Sequence, residues 1–127
     1  MEIKLKTENK DFSIEIDNNT MSISGKGISD SKNIEKIFTE TRDFLEKNIS
    51  IISQKEKIFF VNINIEYFNT SFSLRLFQLI KYFESFNNKV ISVKITWRSS
   101  DQDIVDAAKS YKELTNVPFK IVKEPSK

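Results

Sequence analysis

The run Asn69-Thr70-Ser71 places three short hydrogen-bonding side chains directly after an alternating apolar segment and directly before a helical one. Asn, Thr and Ser are the residue types that cap helices, because a side-chain oxygen can accept one of the unpaired first-turn N–H groups. A hydroxyl at that place is also exposed, and a phosphate on it would meet free N–H groups and the positive end of the helix dipole. Residue types alone leave both readings open, a helix start or a phosphorylation switch. Asp101 and Asp103 form the one notable carboxylate pair, but they open a helix, where acids stabilise the macrodipole without any further role. Gly25-Lys26-Gly27 is too short for a phosphate-cradling loop.

The chain has no His and no Cys. Imidazole bases, thiol nucleophiles, disulfides and the usual zinc sites are therefore excluded. No residue stands out as catalytic or as a metal ligand, no cofactor is implied, and we expect no enzyme activity from the isolated chain. Lys+Arg number 20 against 18 Asp+Glu, a net charge of +2, with no basic stripe of the kind nucleic acid requires. No apolar run approaches the roughly 20 residues of a membrane span. The first ten residues lack the apolar core of a signal peptide, so a cytoplasmic location is expected.

The elements that must position Thr70 are legible in the periodicity. Ile3 and Leu5, then Phe12, Ile14 and Ile16, then Met21 and Ile23 alternate with polar residues, predicting half-buried strands. Asn18-Asn19 suits a hairpin turn. Ser29, Asp30 or Ser31 can cap a helix running through Ile34, Ile37, Phe38, Thr41, Phe44, Leu45, Ile49 and Ile52, about five turns long and ending near Ser53. Phe59, Val61, Ile63, Ile65 and Tyr67 alternate with Asn62, Asn64 and Glu66 in the next strand. A second helix buries Phe72, Leu76, Leu79, Ile80, Phe83 and Phe86. A strand through Ile91, Val93, Ile95 and Trp97, a third helix from Asp101, and a short strand at Phe119–Ile121 complete the order β-β-β-α-β-α-β-α-β. Every strand is polar on one side, whereas a sheet covered on both faces would be apolar on both. The expected fold is thus α/β (α+β), a single mixed β-sheet with helices on one face. One domain over residues 1–123 is expected, followed by a loose tail at 124–127. Asn62, Asn64, Lys94 and Thr96 should lie on the open face.

Tyr67-Phe68-Asn69-Thr70-Ser71 resembles the YxNTSS signature of the SiaC family of bacterial biofilm-regulating phosphoproteins. Val117-Pro118-Phe119 resembles that family's closing xPF. Trp97 to Asp103 is similar to its aromatic-and-acidic segment, and Ile23-Ser24-Gly25 with the following loop is similar to its I-S-G-x-S-x-P-E segment. Three departures surround the expected partner surface: Ser29-Asp30 replaces Pro-Glu, Phe72 stands where a small polar residue is usual, and Arg98, Ser99 and Ser100 thin the acidic segment.

The resemblance implies a STAS-like architecture and a phosphoacceptor at Thr70. It further implies a serine/threonine protein kinase that phosphorylates Thr70 and a metal-dependent serine/threonine phosphatase that resets it. The third implied partner is a diguanylate cyclase, which the unphosphorylated form binds and activates in cyclic di-GMP signalling. Asn69 and Ser71 would shape the helix start. The loop of Ile28, Ser29 and Asp30 and the turn of Trp97 and Arg98 would flank it as partner-binding residues, on the same sheet edge as Thr70 if the strands are parallel. The alternatives are an anti-sigma-factor antagonist of the STAS type, binding an anti-sigma kinase, and a small-molecule-binding domain with a concave apolar pocket.

Overall fold

The computed structural model describes residues 2–125. Strands β1 (Lys4–Glu8), β2 (Phe12–Asp17) and β3 (Thr20–Gly27) form an antiparallel meander. The β2–β3 turn is Asn18-Asn19, and Asn18 takes the positive φ of 55° that Asn tolerates best after Gly. Helix α1 (Ser31–Lys55) leads to β4 (Ile58–Phe68), α2 (Thr70–Phe86) to β5 (Ser92–Ser99), and α3 (Gln102–Glu113) to β6 (Phe119–Lys123). Strands β3 to β6 pair in parallel, giving one six-stranded sheet in the order β1-β2-β3-β4-β5-β6. This is the expected single mixed sheet.

The alternation fixes which side is covered. Phe59, Val61, Ile63, Ile65, Ile91, Val93 and Ile95 are all buried, while Asn62, Asn64 and Lys94 are exposed and Thr96 is half-buried. The buried face of α2 is the expected stripe from Phe72 to Phe86. Helix α1 is longer than expected, at 25 residues from Ser31 to Lys55. Its first turn, Ser31 to Asn33, is exposed and polar, so apolar periodicity does not reveal it; the cap does. Asp30 accepts from the Asn33 N–H at 3.0 Å. That bond, and then the Asn33 side-chain amide, hold the Asp30 carboxyl below its usual range. Beyond β6, the Glu124 N–H donates to the Ser99 carbonyl at 2.8 Å. Residues 126 and 127 of the expected tail lie outside the described residues.

Asp101 shows why its pairing with Asp103 is structural. Its Oδ1 accepts from the backbone N–H groups of Asp103 at 2.8 Å and Ile104 at 3.2 Å, closing the start of α3. Asp101→Ala should therefore lower the unfolding free energy by about 1 kcal/mol, the usual effect of losing a cap. Asp103→Ala should cost less than half of that in the same urea titration. Equal losses would contradict this division of roles.

Candidate functional site around Thr70

Parallel pairing of β3, β4 and β5 brings the C-terminal ends of these strands to one edge of the sheet. Three segments leave that edge side by side: the β3–α1 loop, the start of α2, and the Ser99–Asp101 turn into α3. The cap of α2 is Asn69, whose Oδ1 accepts from the Phe72 N–H at 2.9 Å. Thr70 is consequently the first helical residue. It is exposed, and its hydroxyl makes no hydrogen bond to another described residue. The first intrahelical bond runs from the Ser73 N–H to the Asn69 carbonyl at 3.0 Å. The N–H groups of Thr70 and Ser71 precede it and have no place in the helical ladder.

Of the other expected site residues, Ile28 is 41% exposed beside this helix start, and Asp30 is exposed as the α1 cap. Ser29 is buried and Ser71 half-buried. Arg98 is exposed on the open face of β5 and forms no ion pair among the described residues. Trp97 needs correction. It is 1% exposed, with ring contacts to Phe68, Tyr111 and Phe119 at 6.2, 5.4 and 6.0 Å. In this conformation it supports the edge from beneath and does not form its surface, because the inward alternation of β5 carries it into the core.

Tyr67 departs from the sequence reading in the opposite direction. Alternation placed it inward with Ile63 and Ile65, yet it is 45% exposed. The register explains this: Gly25 pairs with Ile65 but Gly27 pairs with Phe68, so Glu66 and Tyr67 together oppose Lys26. Such a β-bulge turns the strand and re-aims a side chain. Both bulge residues are exposed, and Phe68 takes the inward place, 6.0 Å from Phe72 and stacked on it. Lys26 answers the bulge from β3, 3.9 Å from the Glu66 carboxylate and 5.9 Å from the Tyr67 ring centroid. Both glycines of the chain lie in this stretch of β3. Gly25 has a φ of +112°, and a Cβ on it would lie 2.8 Å from the Phe12 Cα. A Cβ on Gly27 would stand 2.7 Å from both Cδ atoms of Phe72.

Sequence reasoning also missed Leu74, 52% exposed and one turn beyond Thr70 on the same side of α2. The signal was present, since Leu74 is an apolar residue off the buried stripe. Ile28, Tyr67 and Leu74 are thus exposed apolar or aromatic residues on the segments that flank Thr70, whose hydroxyl is unbonded. On the inner side, the Tyr111 hydroxyl donates to the Ser73 carbonyl at 2.8 Å and also meets the Ser73 hydroxyl, tying the first turn of α2 to α3. Burial raises the Tyr111 phenol above its ordinary range, partly opposed by the Ser73 hydrogen bond, so it serves as a neutral group at any physiological pH. The depression next to Tyr67, about 840 Å³ and lined in part by Asn64, Glu66, Ser99, Asp101 and Glu124, is open and mainly polar in its residues. It lacks the apolar enclosure that typifies a small-molecule pocket. No group of three or more His, Cys, Asp or Glu side chains converges among the described residues. No helix among them is long and apolar enough to cross a membrane.

The family model of the SiaC family regulatory phosphoproteins matches residues 4–124. The chain belongs to the SiaC family. Its fold is similar to that of SiaC of Pseudomonas aeruginosa, with a TM-score of 0.75 at 18% identity over 95% of this chain and 98% of that one. A crystal structure of the diguanylate cyclase SiaD in complex with its activator SiaC, from the same organism, matches with a TM-score of 0.76 at 17% identity, over 94% of this chain and 99% of that one. The crystal structure of apo-SiaC gives a TM-score of 0.73 at 17% identity, over 96% and 98%. Comparison with curated protein sequences returned no match. At these identities the solved SiaC structures share the fold, and the family model adds that the chain is a regulatory phosphoprotein. Thr70, the bulge and the flanking loops all lie inside the matched span.

Proposed function

We propose that this SiaC-family protein is a phosphorylation-switched adaptor of a bacterial signalling module, acting in the cytoplasm through binding and without catalysis of its own. In this reading the unphosphorylated form binds and activates a diguanylate cyclase. A serine/threonine kinase phosphorylates Thr70 and releases the cyclase, and a metal-dependent phosphatase restores the binding form. The observation that carries the reading is the unbonded, exposed Thr70 hydroxyl at the first position of α2, on an edge that also exposes Ile28, Tyr67 and Leu74. An edge of this kind suits a protein partner, whose contact a phosphate there would oppose. Family membership supplies the phosphoprotein character, and the fold likeness to an activator of a cyclase suggests the effector.

The test is affinity capture from the protein's own host cells with the wild-type chain and Thr70→Ala, followed by cyclic di-GMP synthesis assays with the captured partner. A diguanylate cyclase held by both and stimulated by the unphosphorylated chain supports the reading. An anti-sigma kinase captured in its place would move the protein to the sigma-regulating class.

A further inference from the structure

Asn69 makes four hydrogen bonds, two from its backbone and two from its side chain, and they do two different jobs. Its backbone N–H donates to the Gly27 carbonyl at 2.7 Å, and its backbone carbonyl accepts from the Ser73 N–H at 3.0 Å. Its Oδ1 caps α2 through the Phe72 N–H at 2.9 Å. Its Nδ2 donates to the Ser29 carbonyl at 3.1 Å, across 40 positions of sequence. Ser29 is itself anchored: its hydroxyl donates to Asp11 Oδ2 at 2.7 Å and accepts from Asn9 Nδ2 at 2.8 Å. Asn9 in turn holds the β1–β2 turn, its Oδ1 accepting from the N–H groups of Asp11 at 2.8 Å and Phe12 at 2.9 Å. The start of α2 is thereby held twice, by its backbone to Gly27 and by the Asn69 side chain to a loop that is itself pinned to the β1–β2 turn.

We propose that Asn69 is a positioning residue that selects Thr70 over Ser71 as the phosphoacceptor, by latching the first turn of α2 to the Ser29 carbonyl. The proposal rests on the reading of Thr70 as the phosphorylated residue. Capping alone does not demand Asn, since Asp and Ser cap equally well. The latch does demand it. An ionised Asp has no donor for the Ser29 carbonyl, and Ser has one short hydroxyl where Asn presents an acceptor and a donor on opposite sides of an amide. Successive residues of a helix are turned by about 100°, given 3.6 residues per turn. Rotation of the first turn therefore decides which of two adjacent hydroxyls is presented. With the latch closed, Thr70 is exposed and Ser71 half-buried.

The test uses the full chain, expressed in its own host as wild type, Asn69→Asp and Asn69→Ser, with phosphate localised by fragmentation mass spectrometry and folding checked by circular dichroism. Both variants keep a capping oxygen, one with charge and one without. The ratio of Thr70 to Ser71 phosphorylation is expected to fall about fivefold in both, the factor carried by one hydrogen bond. That ratio is insensitive to stability as such. Wild-type protein phosphorylated at Thr70, with an unchanged ratio in both folded variants, overturns the assignment of Asn69 alone. Wild-type protein without phosphate at Thr70 overturns both the assignment and the reading beneath it.

Discussion

Phe72→Ala is expected to lower the unfolding free energy by about 3–5 kcal/mol, the range for removing a fully enclosed Phe. Phe72 is 0% exposed and lies in the first turn of α2, two residues after Thr70. Its ring meets Phe12 edge-on at 4.9 Å and Phe38 edge-on at 5.3 Å, with Phe68 stacked at 6.0 Å. The fourth wall is Gly27, where any Cβ would press on the ring edge. Four elements thus converge on one side chain, and truncation leaves a cavity that β-strand neighbours cannot collapse into. In this chain the Phe72 ring and Gly27 are thus fitted to each other.

Gly27→Ala should cost about 1–3 kcal/mol by overpacking. Gly27→Ala combined with Phe72→Leu should cost clearly less than the sum of the two single changes, because the smaller side chain vacates the space that the new methyl needs. Urea titrations of the wild type, the three single variants and the double variant decide the matter. Strict additivity, or a loss under about 1 kcal/mol for Phe72→Ala, would show that the ring and the glycine are not a fitted pair.

The sheet was legible because each of its central strands carries its own burial pattern: β4 and β5 alternate so cleanly that Asn62 and Lys94 could be assigned to the open face without knowing their neighbours. Helix starts were legible to within a residue or two from Asp30, the Asn69 run and Asp101, since caps are local chemistry. What escaped was non-local. The bulge that turns Tyr67 outward arises from unequal steps along two strands far apart in sequence, Gly25 pairing with Ile65 and Gly27 with Phe68. Asn69 and Ser29 are likewise 40 positions apart. Neither link leaves a trace in local periodicity, although both glycines standing together in β3 mark the place. Trp97 follows the alternation of β5 into the core, and the likeness of the Trp97–Asp103 stretch to an aromatic-and-acidic segment carries no information about that burial.

Phosphorylation of Thr70 is expected to leave the fold intact and to weaken the partner complex by about a hundredfold or more. The modification adds roughly −1.5 to −2 charges at neutral pH to a chain of net charge +2. Within the chain that charge is well placed, since the unladdered N–H groups of Thr70 and Ser71 and the positive end of α2 favour an anion there by about 0.3–1 kcal/mol. Against a partner it is badly placed. The hydroxyl it esterifies sits on an edge that also exposes Ile28, Tyr67 and Leu74, so a partner seated there would have to strip water from a dianion. Burying a charge without a matching cation costs several kcal/mol, and about 2.8 kcal/mol already corresponds to a hundredfold in affinity. Thr70→Ala should be nearly silent in stability, because Asn69 and not Thr70 supplies the cap, and should bind like the unmodified protein. Thr70→Asp should melt no lower than wild type yet bind weakly, since the same dipole that accepts its carboxylate does nothing to desolvate it for the partner. Isothermal titration of the captured cyclase with these variants and with the phosphorylated chain gives the comparison. Equal affinity for the modified and unmodified forms, or weak binding accompanied by loss of the folded state, would defeat a switch based on desolvation at Thr70.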